Sequence, residues 1–435
     1  MDLIGAVKMT GQLGRFRYGV LGAFEDDTTL HAELNGAPYP IFQSGSDYGI
    51  ARLLYEDSPN GAYRAFGVLS TAVLNRDQDA LATGLDAHYL ASNGKLKLDS
   101  QVFTSAKDGV DRGYGGFVDM EYTIRQGVTQ RVGIEYFDKH VDINDLGYLA
   151  RNDSFRIRAA HIRTNSNIKW ARENQFDVRG FAQRNTEHYF TGGGVFFTDK
   201  LTFHNLTSVE ARLFLNAPAY DDLNSVGNGT FRIDSRIGTA IDYSSDSTKK
   251  LSYGGGIFFG HEDLGGAHAG YGVNANFRPS DQYTFSAHLN YDDSHGWLLH
   301  DSGRDFTTFD AEQWEVRLSA DYFLTAKQQL RTSLQWVGIQ ARQKQFYLVP
   351  LTPGDLIEVA GAPGRSDSFS IGILSFQMRY RWEIAPLSDL FVVYTRISDR
   401  ARALHQSTFS DVFDDSWHSP LNDVFVVKLR YRFGS

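Results

Sequence analysis

The residues best placed to do chemistry in this chain are basic ones set at alternate positions. Near the carboxyl end they are Arg379, Arg381, Arg396, Lys428, Arg430 and Arg432, mostly flanked by apolar residues. A spacing of two puts such residues on one face of a strand. Rows of arginine and lysine on a wetted face line anion-conducting pores. No acidic residue stands at the same depth in the surrounding pattern, so these six are expected to attract phosphate or carboxylate groups. Further back, Arg131, Arg156, Arg158, Arg212, Arg236, Arg317 and Arg331 alternate in step with acids such as Asp119, Glu121, Glu135, Glu210, Asp242, Glu315 and Asp321. For these, cross-strand ion pairs that stiffen a wall are the ordinary outcome.

Other constellations are weaker. Acids gather at Glu25-Asp26-Asp27, Asp221-Asp222, Glu262-Asp263, Asp292-Asp293 and around Asp411, Asp414 and Asp415. None has the spacing of a calcium loop, and a solvated acidic surface accounts for them and for the net charge of −9. His261 and His268 flank Glu262-Asp263, while His295 and His300 follow further on, without a paired-ligand motif. No metal and no cofactor is therefore expected. The chain has no Gly-x-Ser-x-Gly elbow. Ser286 and His288, two apart on one face, are the nearest candidates for a hydrolase assembled across strands. Two polar residues on a wetted face are common by chance, so an enzyme is not the favoured reading.

Positioning such residues needs strands, and the chain is full of them. The closing segment Asn422 to Phe433 sets Phe425, Val427, Leu429, Tyr431 and Phe433 on one face and Val426, Lys428, Arg430 and Arg432 on the other. An amphipathic strand with a terminal aromatic is how outer-membrane barrels end. Trp314, Val316, Leu318, Ala320, Tyr322 and Leu324 repeat the pattern against Gln313, Glu315, Arg317, Ser319 and Asp321. So do Leu374, Phe376, Met378, Tyr380 and Trp382 against Ser375, Gln377, Arg379 and Arg381. The stretch Phe231 to Asp242 reads as one further strand.

Between strands, tight turns alternate with long connections. Turns are expected at residues 13–15, 92–94, 125–127, 279–281, 326–328 and 386–388, all but 326–328 carrying the Gly, Pro, Asn or Ser that turns favour. Long loops are expected at 26–46, 139–153, 217–229, 294–311, 341–367 and 399–421, of which 294–311 and 341–367 could fold inward. Such parity suits a barrel with one end in the periplasm and the other outside. Counting back from Phe433 gives about 21 strands, within the usual range. Residues 3–12 then descend like the last strand, which predicts a closing partner ahead of Met1.

Composition is compatible with this. There are 22 Tyr, 31 Phe and 42 Gly among 435 residues, enough for aromatic girdles and close-packed strands. Mean hydropathy is −0.35, and no run of about 18 apolar residues exists, which excludes a helical membrane protein. Cysteine is absent, excluding disulfides and thiolate metal sites. The negative net charge argues against nucleic acid as a partner. No export signal is visible, so a mature or trimmed chain is expected, with Gly434 and Ser435 as a cloning scar.

Several stretches resemble one family of large bacterial outer-membrane proteins. They are Gly5 to Gly11, Leu146 to Asp153, Phe277 to Tyr283, Gln313 to Gln335, Pro386 to Arg396 and Val424 to Phe433. Members of that family pair a periplasmic domain similar to family-nine carbohydrate-binding modules with a C-terminal barrel of unknown function. The resemblance implies a barrel over residues 1–433, without the module or the short strand-like segment that links it to the barrel.

The expectation is an all-β transmembrane antiparallel barrel of about 20 to 22 strands in the Gram-negative outer membrane. Its expected role is that of a porin-like channel or translocator with an anion-leaning lumen. The alternatives are a barrel that anchors or exports a partner, or a barrel-embedded hydrolase. Expected partners are membrane lipids and lipopolysaccharide, the barrel assembly machinery, and the carbohydrate-binding module or a plug.

Overall fold

The computed structural model describes residues 2–34, 37–166, 168–361, 366–404 and 408–432. It divides into two compact units, Met1–Arg163 with Val178–Gly193, and Thr164–Asp177 with Gly194–Ser435. Both are built from antiparallel strands.

The first unit holds β1 (Asp2–Leu13), β2 (Phe16–Asp26), β3 (Thr28–Leu34), β4 (Ala37–Gln43), β5 (Ser46–Asp57), β6 (Tyr63–Asn75), β7 (Ala80–Leu90), β8 (Leu96–Lys107), β9 (Val110–Arg125), β10 (Val128–Phe137) and most of β11 (Ser154–Asn165). Successive strands pair as a meander, with β3 and β4 set aside as their own hairpin between β2 and β5. Next come β12 (Glu173–Arg184) and β13 (Phe190–Thr202), which straddle the unit boundary.

The second unit continues with β14 (Ser208–Asn216), β15 (Ala219–Asp221), β16 (Phe231–Ile233), β17 (Arg236–Ser244), β18 (Leu251–His261), β19 (Ala267–Ser280), β20 (Tyr283–His300), β21 (Asp305–Thr325) and β22 (Gln328–Leu348). It ends with β23 (Ile357–Val359), β24 (Phe369–Ala385), β25 (Ser388–Ala403), helix α1 (Phe409–His418) and β26 (Asn422–Arg430). Here too neighbours in sequence pair, except that β15 and β16 form a separate hairpin and β23 lengthens the sheet beside β22. Among the described residues, 22 strands belong to main ladders of this kind. Phe433 lies outside the described residues.

Turn chemistry explains one end of the meander. Gly14, Gly94 and Gly127 take φ of 60°, 67° and 76°, where a Cβ would be strained. Leu387, in the two-residue link between β24 and β25, takes φ 61° despite its side chain. This short-turn end contrasts with the long-loop end, where residues 138–153 and 349–356 run between strands. The alternation of lengths is looser than expected, because Asp108 and Gly109 alone join β8 to β9 at the long-loop end.

Each unit has two unlike faces. In the first, directly paired Tyr18, Leu53, Val68, Leu85 and Val102 form a row across five strands, and Leu85 and Val102 are about 60 % exposed. In the second, Tyr271, Val273, Phe277, Phe285 and Leu318 on one face are all exposed apolar side chains. An apolar surface this extensive is stable against hydrocarbon rather than water. Aromatic rings bound it. Tyr283 and Tyr322 stack 4.5 Å apart at the short-turn side, and Tyr271, Tyr291 and Trp314 cluster at the other. Trp314 and Tyr322 are eight positions apart on β21, about 26 Å along the strand or about 20 Å of depth for a tilt of about 40°. Such a belt is what a transmembrane barrel strand requires.

β20, β21 and β22 are 18, 21 and 21 residues long, roughly twice what a span needs. Their excess runs past the aromatic belt at the long-loop end. Residues 294–311, expected as a loop, are therefore strand apart from 301–304. Two buried apolar clusters sit with these extensions. One joins Ala219, Phe231 and Ile233 of the β15–β16 hairpin to Phe306 and Val349, and another holds Phe309, Ala311 and Ala341. The stretch Phe231 to Asp242 is accordingly two strands, since Phe231 and Ile233 are buried in that hairpin while Arg236 begins β17.

The connection expected as a loop over 399–421 contains α1. Thr408 and Asp411 form a reciprocal capping box at its start. Val412, Phe413 and Trp417 lie against Trp336, Leu374 and Phe376 of the apolar face. Gly372 lets the helix approach, since a Cβ there would stand 3.0 Å from Val412 Cγ1. No helix among the described residues is long and apolar enough to cross a membrane.

Candidate anion-binding site

At the short-turn end of the second unit, β22, β24, β25 and β26 bring their charged faces together. Register decides which side chains meet. Arg331 stands opposite Arg379, Gln329 opposite Arg381, Arg381 opposite Phe391, and Asp389 opposite Arg430. Gln329, Arg331, Arg379, Arg381, Phe391 and Arg430 line a cavity of about 270 Å³.

Two of these arginines share a carboxylate. Arg381 donates from Nε to Asp389 Oδ1 at 2.9 Å, and Arg430 pairs with the other oxygen of Asp389, which is 1 % exposed. Their acidic neighbour was not apparent in the sequence because Asp389 reads as the edge of the 386–388 turn rather than as a wall residue. Arg331 pairs with Asp321 at 2.6 Å, and Gln329 also donates to that carboxylate. Arg379 has no carboxylate within ion-pair distance among the described residues, and its guanidinium lies 5.1 Å from the Phe391 ring centroid. Like charges directly opposite each other, as Arg331 and Arg379 are, destabilise a ladder unless a counter-charge is near. Four arginines meet two aspartates, leaving a surplus of two positive charges. Lys428, directly opposite Phe391, adds to it.

Of the six residues expected to attract anions, Arg379, Arg381, Lys428 and Arg430 thus share one face, and three of them line the cavity. Arg432 follows the end of β26, its backbone N–H donating to Ser388 Oγ at 3.0 Å. Arg396 lies elsewhere. It stands opposite Phe376 and Asp423 on the apolar face, over the Trp417 ring at 5.3 Å and 3.6 Å from Asp423. The sequence misled because Leu390 to Tyr394 is continuously apolar, so alternation within β25 does not fix its phase. Arg331, Gln329 and Phe391 complete the site. Arg331, expected to make a wall ion pair, does so with Asp321 as well.

Elsewhere the charged faces are paired. Arg158 reaches Asp119 at 2.6 Å and Glu135 at 3.0 Å, and Arg131 reaches Glu121 at 2.8 Å. In the first unit, His88 bridges Asp99 at 2.7 Å and Asp86 at 3.0 Å, with Arg52 on Asp86 and Lys97 on Asp99. The signal for this network is Asp86-x-His88, two residues on one strand face, which sequence reading did not single out.

The remaining candidates separate. Ser286 accepts from Asn276 Nδ2 at 2.9 Å, while His288 stands opposite Arg317 and Asn274. His268 is 3.4 Å from Asp292, His295 is 3.5 Å from Asp310, and His300 meets the Gly303 carbonyl at 2.8 Å. Among the described residues no group of three or more such side chains is arranged to hold a metal ion.

Residues 68–433 match the family described as "Domain of unknown function (DUF5916)". No curated protein matches the chain. Among solved structures, the FrpB iron transporter from Neisseria meningitidis (F3-3 variant) is similar with a TM-score of 0.51 and 10 % identity, over 90 % of this chain and 74 % of that one. The copper transporter OprC is similar with a TM-score of 0.43 and 11 % identity, over 87 % and 69 %. The likeness to FrpB is one of fold.

Proposed function

The chain belongs to the DUF5916 family, and from that membership and its outer-membrane-barrel fold we propose that it is a channel or translocator of the bacterial outer membrane whose short-turn end favours anions. The observation that carries this reading is the cavity lined by Arg331, Arg379, Arg381 and Arg430, where cations exceed carboxylates by two. A charged face can line a barrel only if it is wet, since unpaired charge in a dry interior is costly. Surplus guanidinium charge then raises the local concentration of anions and lowers that of cations. The short-turn end of such a barrel is the periplasmic one, so the selective region would act near the periplasmic mouth.

The test is the reversal potential of the purified protein in planar bilayers under a salt gradient. Anion preference is expected for the wild type, and the double substitution Arg379→Ser, Lys428→Ser should move the reversal potential toward the cation side. Cation preference in the wild type, or no conductance, would refute the reading.

A further inference from the structure

On the apolar face near α1, the side chains shrink. Ala275 faces Ala287 across one ladder, and Ala320 faces Thr332 across another. These four small residues floor a groove of about 380 Å³. Phe277 and Phe285, stacked 6.5 Å apart, form one wall. Leu318, Leu334 and Phe376 form the other. Phe376 also packs on Trp417 of α1, with ring centroids 5.6 Å apart, so the groove adjoins the helix.

Its depth follows from the aromatic belt. Tyr283 and Tyr322 lie toward the short-turn side of these residues on β20 and β21, and Tyr291 and Trp314 toward the other. A hollow at that level meets hydrocarbon, not water. Between lipid and an apolar wall there is no hydrophobic driving force, so retention depends on packing. An unfilled hollow forfeits dispersion contacts along its whole lining. A methylene chain lying on the alanines would recover them against the floor and both walls. On a flat stretch of the same face it would touch one side only.

We propose that this groove holds one alkyl chain of a membrane lipid, retained with the protein instead of exchanging freely with the surrounding bilayer. The site needs only that the apolar face meets lipid, and it is independent of conduction and anion preference.

Native mass spectrometry of the full chain, purified and exchanged repeatedly into fresh detergent, tests this. The wild type should carry one lipid adduct per chain. Ala287→Leu with Ala320→Leu, which fills the groove, should lower adduct occupancy at least about ten-fold. Equal occupancy in both proteins, or no adduct on the wild type, overturns the proposal. Because the double variant could fail to assemble, the wild type is also reconstituted with a phospholipid bearing a diazirine midway along its acyl chain. Cross-links concentrated in residues 275–287 and 318–334 support the site, and cross-links spread evenly over the apolar face overturn it.

Discussion

With Arg381 and Arg430 both anchored on its carboxylate, Asp389 offsets one of the positive charges around the cavity. Asp389→Asn should therefore strengthen anion preference, moving the reversal potential opposite to Arg379→Ser, and should also lower the urea midpoint for unfolding in detergent. A shift toward cations would show that Asp389 does not face the conducting path. Leu387 offers a test of backbone strain. A left-handed residue with a side chain costs about 1–2 kcal/mol, part of which glycine's extra freedom in the unfolded chain takes back. Leu387→Gly should thus stabilise the protein by about 0.5–1 kcal/mol in equilibrium unfolding. At this scale the sequence was informative where alternation was clean, as at Arg379, Arg381, Lys428 and Arg430. It failed at Arg396, where five successive apolar residues erase the phase and only pairing with β24 and β26 restores it.

Helix α1 shows the same limit one level up. Its capping box, Thr408 with Asp411, and its apolar positions Phe409, Val412, Phe413 and Trp417 are all visible in the sequence. A ten-residue helix inside a stretch otherwise expected to be loop is easily passed over, and what it packs on depends on tertiary contacts. Leu374 is fully buried between wall and helix, so Leu374→Ala should cost about 2–5 kcal/mol in urea unfolding, the usual range for an apolar core truncation. The helix should also respond to acid. The backbone N–H of Thr408, followed by its hydroxyl, donates to the Asp411 carboxylate and holds it below the usual carboxylate range. A pKa depressed by folding means a contribution fully present above the ordinary value of about 4 and lost as pH falls through the depressed one. Near-ultraviolet circular dichroism, sensitive to Trp336 and Trp417, should therefore change on acidification below about pH 4. Asp411→Asn should remove that dependence.

For the molecule as a whole, the all-β class, the antiparallel meander and the approximate strand number were legible, because most strands follow the same two-residue period. The lengths of β20, β21 and β22 were not. Past the aromatic belt their alternation continues, and nothing local marks where lipid stops. The hairpin β15–β16 was hidden for a related reason: its residues fit the period of the adjoining β17, and only burial against Phe306 and Val349 separates them. The distribution of charge along the second unit has a further consequence. Arginines dominate its short-turn end, whereas Asp221, Asp222, Glu262, Asp263 and Asp292 crowd the other. A conducting path biased positive at one mouth and negative at the other fills with ions under one polarity and empties under the reverse. In electrical terms the protein would be a diode. Its current–voltage curve in low salt should bend, and the bend should flatten as salt shortens the reach of both charges.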